Sequence, residues 1–109
     1  MDRIELLKRY LQEDPDDSFT SYALSLEYIR LKDYQQAKSI LVELNRKDPD
    51  YLAAYYQLGK VYESLQLTEE AVSVYEKGML VARSQKNHHT FSELDTALKQ
   101  IKGDPEEEE

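Results

Sequence analysis

Shifted against itself by 34 residues, the chain meets its own pattern. Pro15 falls on Pro49, Leu24 on Leu58, Tyr28 on Tyr62, Leu31 on Leu65 and Ala37 on Ala71. Tyr22 falls on Tyr56, and Ser25 falls on Gly59, small on small. Chance gives one or two such coincidences, not a whole register of large, small and proline positions. A fixed period of a few tens of residues marks a stacked repeat, whose units are each too small to bury an apolar face alone. The chain is therefore constrained to an all-α stack, provided each unit reads as helices.

Each unit does. Over 18–31, apolar residues recur at Leu24, Tyr28 and Leu31, three and four apart, as on one face of a helix. Asp33 reads as the next N-cap, with Gln36 three places on completing a capping box. A second helix over 34–46 carries Ala37, Ile40, Leu41 and Leu44 on one face. Asp48-Pro49-Asp50 stops it, because proline restrains the residue before it, and Asp50 is placed to cap the next helix. The second unit repeats this layout: a helix over 51–65, then Thr68 as the cap of one running to about residue 83. Glu69 and Glu70 there suit the positive end of the helix dipole. A half unit precedes the repeats, a helix over 2–13 with Ile4, Leu7, Tyr10 and Leu11. Another comes after them: Thr90 and Glu93 form a capping box, and Phe91, Leu94, Leu98 and Ile101 share a face over 90–102. Gly103-Asp104-Pro105 ends it. The expected organisation is about six helices in one domain over 1–103, with repeats at 16–49 and 50–83. An acidic tail over 104–109 has nothing to bury and is expected to be disordered.

Composition excludes several classes of function. The net charge is −8, of which Asp104 and the four glutamates of 106–109 supply five. Nucleic acid and anionic membrane are poor partners for such a chain, since both need a basic footprint. There is no cysteine, so thiol chemistry and thiolate metal sites are absent. His88 and His89 are adjacent, point different ways in a helix or turn, and lack a third ligand for zinc. They read as a solvated turn before the last helix. No phosphate loop or Ser-His-Asp set appears, so no enzyme, metal or cofactor is expected. No apolar run reaches the roughly 18 residues of a membrane span, and the first residues lack the layout of a signal peptide, so the expected location is the cytoplasm. Nine tyrosines are many, while three glycines and three prolines suit long helices with short links.

The second unit reads Tyr55-x2-Leu58-Gly59-x2-Tyr62, then Ala71-x3-Tyr75. The first reads Ser21-x2-Leu24-Ser25-x2-Tyr28, then Ala37-x3-Leu41, closing on Pro49. This resembles the tetratricopeptide repeat, with its 34-residue period and its W-x2-L-G-x2-Y, A-x3-F, P signature. Ser21 departs from the large aromatic, Ser25 from the glycine and Arg83 from the second proline. The last departure implies that the final helix of the second repeat runs on, or that the loop after it is longer. The resemblance implies a right-handed α-solenoid of antiparallel helix pairs. It also places Gly59 and Ser25 at close crossings opposite Ala71 and Ala37. Gly78 lies mid-helix, where glycine costs up to about 1 kcal/mol against alanine, and is read as making room for the last helix.

The resemblance further implies a concave groove lined by the first helix of each repeat, which takes an extended or helical peptide. By position its residues are Phe19, Tyr22, Leu26 and Ile29 in the first repeat. In the second they are Ala53, Tyr56, Gln57, Lys60 and Glu63, with additions near Phe91. Phe19, Tyr22, Leu26 and Ile29 are spaced 3, 4 and 3, a stripe beside the core stripe of Ser21, Leu24, Ser25 and Tyr28. A helix apolar on two faces is either covered on both by its own chain or shows one to a partner. The family's clamp for a terminal carboxylate looks absent, since the matching positions hold Tyr22, Leu26 and only Lys60. The expected function is a non-catalytic interaction module for a protein or peptide with an apolar or aromatic anchor. The alternative is a self-assembly module that uses the same surface to form a homodimer.

Overall fold

Residues 2–103 are described by the computed structural model, and they form six helices. These are α1 (Arg3–Glu13), α2 (Ser18–Arg30), α3 (Tyr34–Lys47), α4 (Ala53–Ser64), α5 (Thr68–Ser84) and α6 (His88–Lys102). Each packs on the next, and α4 also touches α6. The result is an all-α solenoid of helix pairs, drawn out to 54 × 29 × 19 Å. The acidic run expected to be disordered lies outside the described residues.

Four helices start on a side chain that accepts the backbone N–H three residues on. Asp2 takes Glu5 at 2.8 Å, Asp17 takes Thr20 at 3.2 Å, Asp33 takes Gln36 at 3.3 Å and Asn87 takes Thr90 at 3.0 Å. Each satisfies one of the amides that a helix start leaves without a partner. The Asp33 box is only half built, because the Asp33 N–H is already spent on the Tyr28 carbonyl.

Three expected caps are not used. Asp50 does not cap α4: the chain first turns, with the Tyr51 N–H on the Asp48 carbonyl, and buries Leu52 before the helix begins. The Asp50 carbonyl instead accepts from Gln85 Nε2 at 2.8 Å, tying the start of α4 to the end of α5. Thr68 is the first residue of α5 rather than its cap, with Leu67 ahead of it making no side-chain cap bond. Thr90 lies inside α6, because Asn87 caps first and draws His88 and His89 into the helix. The two histidines are thus an exposed helical turn, not a loop.

The turns after α2, α4 and α5 are one motif used three times. Lys32, Gln66 and Lys86 have φ of 60°, 62° and 58°. In each, the next N–H reaches back five residues: Asp33 to Tyr28, Leu67 to Tyr62, Asn87 to Ala82. This left-handed cap satisfies the last carbonyls of the helix. It makes the α5–α6 link as tight as the links within the repeats. The missing proline at Arg83 therefore lets α5 run on to Ser84, and the loop is not lengthened. A non-glycine residue in this conformation costs about 1–2 kcal/mol, against up to about 1 kcal/mol for the freedom glycine loses. Gln66→Gly is therefore expected to raise the thermal midpoint by a few degrees; an unchanged or lower midpoint refutes the strain.

The core runs through all six helices. Leu24, Leu41, Leu58, Tyr75, Leu94 and Leu98 are buried, with Ala37 and Ala71 fully enclosed. Ser25, also fully enclosed, donates its hydroxyl to the Tyr22 carbonyl at 2.6 Å, so its burial leaves no polar group unpaired. At Gly59 a Cβ would fall inside the Tyr75 ring, so the close approach there is to that ring. At Gly78 a Cβ would stand 2.7 Å from Tyr55 Cβ and 3.0 Å from Leu94 Cδ1. Gly78 thus makes room for α6, as the sequence suggested, and for Tyr55 as well.

Candidate functional site

Tyr56, Lys60 and Glu63 lie at i, i+4 and i+7 along α4, a spacing that puts them on one face. Their positions are fixed from beneath. The fully enclosed ring of Tyr75 on α5 crosses α4 at Gly59, and its hydroxyl emerges to donate to Glu63 Oε2 at 2.5 Å. Lys60 Nζ stands 3.7 Å from the same oxygen and 5.5 Å above the Tyr56 ring. The Tyr56 and Tyr75 rings are 6.4 Å apart, tilted at 45°. An aromatic face, a cation and a carboxylate are thereby held side by side. A cation over a partly exposed ring adds about 0.5–1 kcal/mol of order to such an arrangement.

Tyr56 opens into a hollow of about 370 Å³ whose other wall is α6. That wall consists of His89, Ser92, Glu93, Thr96, Ala97 and Gln100. His89 Nε2 lies 3.6 Å from Glu93 Oε1. The contribution expected near Phe91 is thus made by the neighbouring polar face of α6. Phe91 itself turns toward α5, with the Arg83 guanidinium 5.3 Å over its ring. The polar wall was hidden in the sequence because residues 88 and 89 read as a turn. The signal was the spacing of 89, 92, 96 and 100.

The stripe on α2 divides. Phe19 is 70% exposed. Tyr22 and Ile29 are half-buried against the core, and the Tyr22 ring meets Tyr51 at 5.6 Å. Leu26 is half-buried. On α4, Gln57 is half-buried beside Tyr56, and Ala53 is exposed. None of the α2 residues reaches the hollow at Tyr56. Among the described residues no helix is long and apolar enough to cross a membrane.

Burial raises the Tyr75 phenol far above its ordinary value, and the Glu63 carboxylate raises it further. Burial raises Tyr51, Tyr55 and Tyr62 as well. Phenols of the unfolded chain ionise near pH 10, while these four hold their protons in the fold. Their stabilising effect is whole below about pH 10 and is lost as the pH rises from there toward the folded values. The thermal midpoint should fall steadily above about pH 10, less steeply in Tyr75→Phe, with these phenols ionising only as helicity is lost. Ionisation of all nine tyrosines in a fully helical chain would contradict this.

Comparison with known proteins agrees with the geometry. A family model of the tetratricopeptide repeat matches residues 28–92. The solution structure of a tetratricopeptide repeat domain protein from Salinibacter ruber is 40% identical. The match covers 83% of this chain and 91% of that one, with a TM-score of 0.78. A crystal structure of a tetratricopeptide repeat domain protein from the same organism gives 39% identity, 80% and 98% coverage and a TM-score of 0.76. The TPR2B domain of yeast Sti1, solved in complex with pHsp70, shares the fold at 13% identity. There the coverage is 91% of this chain and 79% of that one, with a TM-score of 0.85. No curated protein matches the sequence. With its 34-residue register, its Gly59 crossing and a family match over more than half its length, the chain belongs to the tetratricopeptide repeat family.

Proposed function

We propose that this chain is a non-catalytic protein-interaction module. It holds a peptide or protein segment along the face formed by Phe19, Tyr22, Leu26 and Ile29 of α2 and Tyr56, Gln57, Lys60 and Glu63 of α4. The observation that carries this is the open hollow at Tyr56, where an aromatic face meets the polar face of α6, with the Lys60–Glu63 pair on the same helix as Tyr56. Sites prepared in this way lose less freedom on binding. The α6 wall supplies hydroxyl and amide groups for backbone recognition, and Phe19 supplies apolar surface at the other end. The complex of the Sti1 domain with pHsp70 supports the reading that this fold offers such a surface. The module acts as one domain over residues 1–103, in the cytoplasm, on an aromatic or apolar anchor.

The test is a pull-down with the intact chain beside a Tyr22→Ala/Tyr56→Ala variant shown by circular dichroism to be equally folded. The intact chain should retain a partner that the variant loses. Equal capture by both moves the site off this face. The exposure of Phe19 also suits a second copy of the chain, so the mass in solution is measured alongside. The interaction reading expects a monomer. A dimer that Phe19→Ala dissociates would establish self-assembly instead.

A further inference from the structure

Among the described residues, one buried side-chain atom lacks a hydrogen-bond partner: Asn45 Oδ1 on α3. Thirty-four residues to either side, the same place in the repeat holds Leu11 and Met79, both packed against the core. The chain puts an amide there only where its two repeats meet. Asn45 lines a hollow of about 480 Å³ together with Tyr55, Leu58 and Tyr62 of α4, so it stands at the seam between α3 and α4. A buried acceptor without a donor destabilises the closed packing, and it regains a hydrogen bond once solvent reaches it. This seam therefore resists opening less than one closed by leucine or methionine.

The other seams are tied by side chains. Arg3 meets Glu27 across α1 and α2 at 3.4 Å, and Ser18 Oγ donates to Asp48, at the end of α3, at 2.6 Å. Tyr75 holds Glu63 across α4 and α5, and Lys102 approaches Glu76 across α5 and α6 at 4.0 Å. Among the described residues, no side-chain hydrogen bond or ion pair joins α3 to α4. The link between them is divided. Asp48 is held from α2 by Ser18, while the Pro49 carbonyl accepts from Tyr55 of α4 and the Asp50 carbonyl from Gln85 at the end of α5. Apolar packing, the turn bond from the Tyr51 N–H to the Asp48 carbonyl and the Tyr22–Tyr51 ring contact span the break. We propose that α1–α3 and α4–α6 are two bodies hinged at Asp48–Pro49, with Asn45 as the group that keeps the seam between them openable. Opening tilts α2 against α4 and alters the separation of Tyr22 and Tyr56. The hinge does not depend on what those residues bind, so either reading stands if the other fails.

The full chain has no cysteine, so paired spin labels can be introduced at chosen sites. Gln35→Cys and Glu69→Cys, exposed and equivalent positions of α3 and α5, span the seam. Gln12→Cys and Gln35→Cys lie within one body and serve as the reference pair. Double electron–electron resonance reads the spread of distance in each. The spread across the seam should be the wider. Asn45→Met, for which the hollow leaves room, should narrow it to that of the reference pair and raise the thermal midpoint by a few degrees. Asn45→Asp, whose charge has to be hydrated, should widen it and lower the midpoint. The aspartate variant carries the test if the methionine does not pack. Equal spreads for the two pairs, an unmoved spread in a folded Asn45→Met, or a narrower one in Asn45→Asp would overturn the proposal.

Discussion

Gly59→Ala is expected to lower the thermal midpoint by roughly 10 °C or more. The added methyl would occupy the space of the Tyr75 ring, which has no exposed surface into which to retreat. Overpacking of this kind costs typically about 1–3 kcal/mol. At about 3 kcal/mol, and about 4–8 °C per kcal/mol in a domain of this size, the loss exceeds the modest gain in helix propensity. The substitution also reaches the surface, because the displaced ring can no longer bring its hydroxyl to Glu63. A double-mutant cycle with Tyr75→Leu separates the causes. Shrinking the ring should recover part of the loss, so the paired cost is smaller than the two single costs together. Additive costs, or an unmoved midpoint for Gly59→Ala, would show that the ring does not sit across α4 as described.

Gly78→Leu should be as damaging, and the other repeat shows how part of the crowding is relieved. A Cβ alone would crowd Tyr55 Cβ at 2.7 Å and Leu94 Cδ1 at 3.0 Å, and the rest of the leucine would push α6 off α5. The helix gains up to about 1 kcal/mol from losing its glycine, but overpacking against two buried side chains on different helices costs about 3 kcal/mol. Hydrogen exchange in α6 should quicken, and the hollow at Tyr56 should lose its second wall. The first repeat has solved the same space with Leu44 and Ser21, the reverse pairing of large and small. Tyr55→Ser removes the ring but keeps the Cβ that a side chain at 78 meets at 2.7 Å, so it should restore only part of the stability of Gly78→Leu, and alone it leaves a cavity and costs stability. A rise in stability for the single Gly78→Leu change would remove the account of that glycine.

Much of the fold was legible before any coordinates. The 34-residue register determined the number and order of the helices, and the apolar spacing determined which face of each is buried. Asp33 determined where α3 begins. These are local properties: a cap acts over three residues and an amphipathic face over one or two turns, so both are readable along the chain. The sequence also named Gly78 as the seat of the last helix and placed Tyr56, Lys60 and Glu63 on one face. It did not contain which residues meet across helices. Asp50 lost its role as a cap because burying Leu52 outweighed one hydrogen bond, a balance set by the core. His88 and His89 joined α6 because a left-handed turn at Lys86 brought Asn87 forward as the cap. The passage of the Tyr75 hydroxyl through the gap at Gly59 to Glu63 joins residues of different helices by their depth and direction. No spacing encodes that, so only the tertiary structure decided that Glu63 is tied to Tyr75 and Lys60 and that α6 walls the hollow at Tyr56.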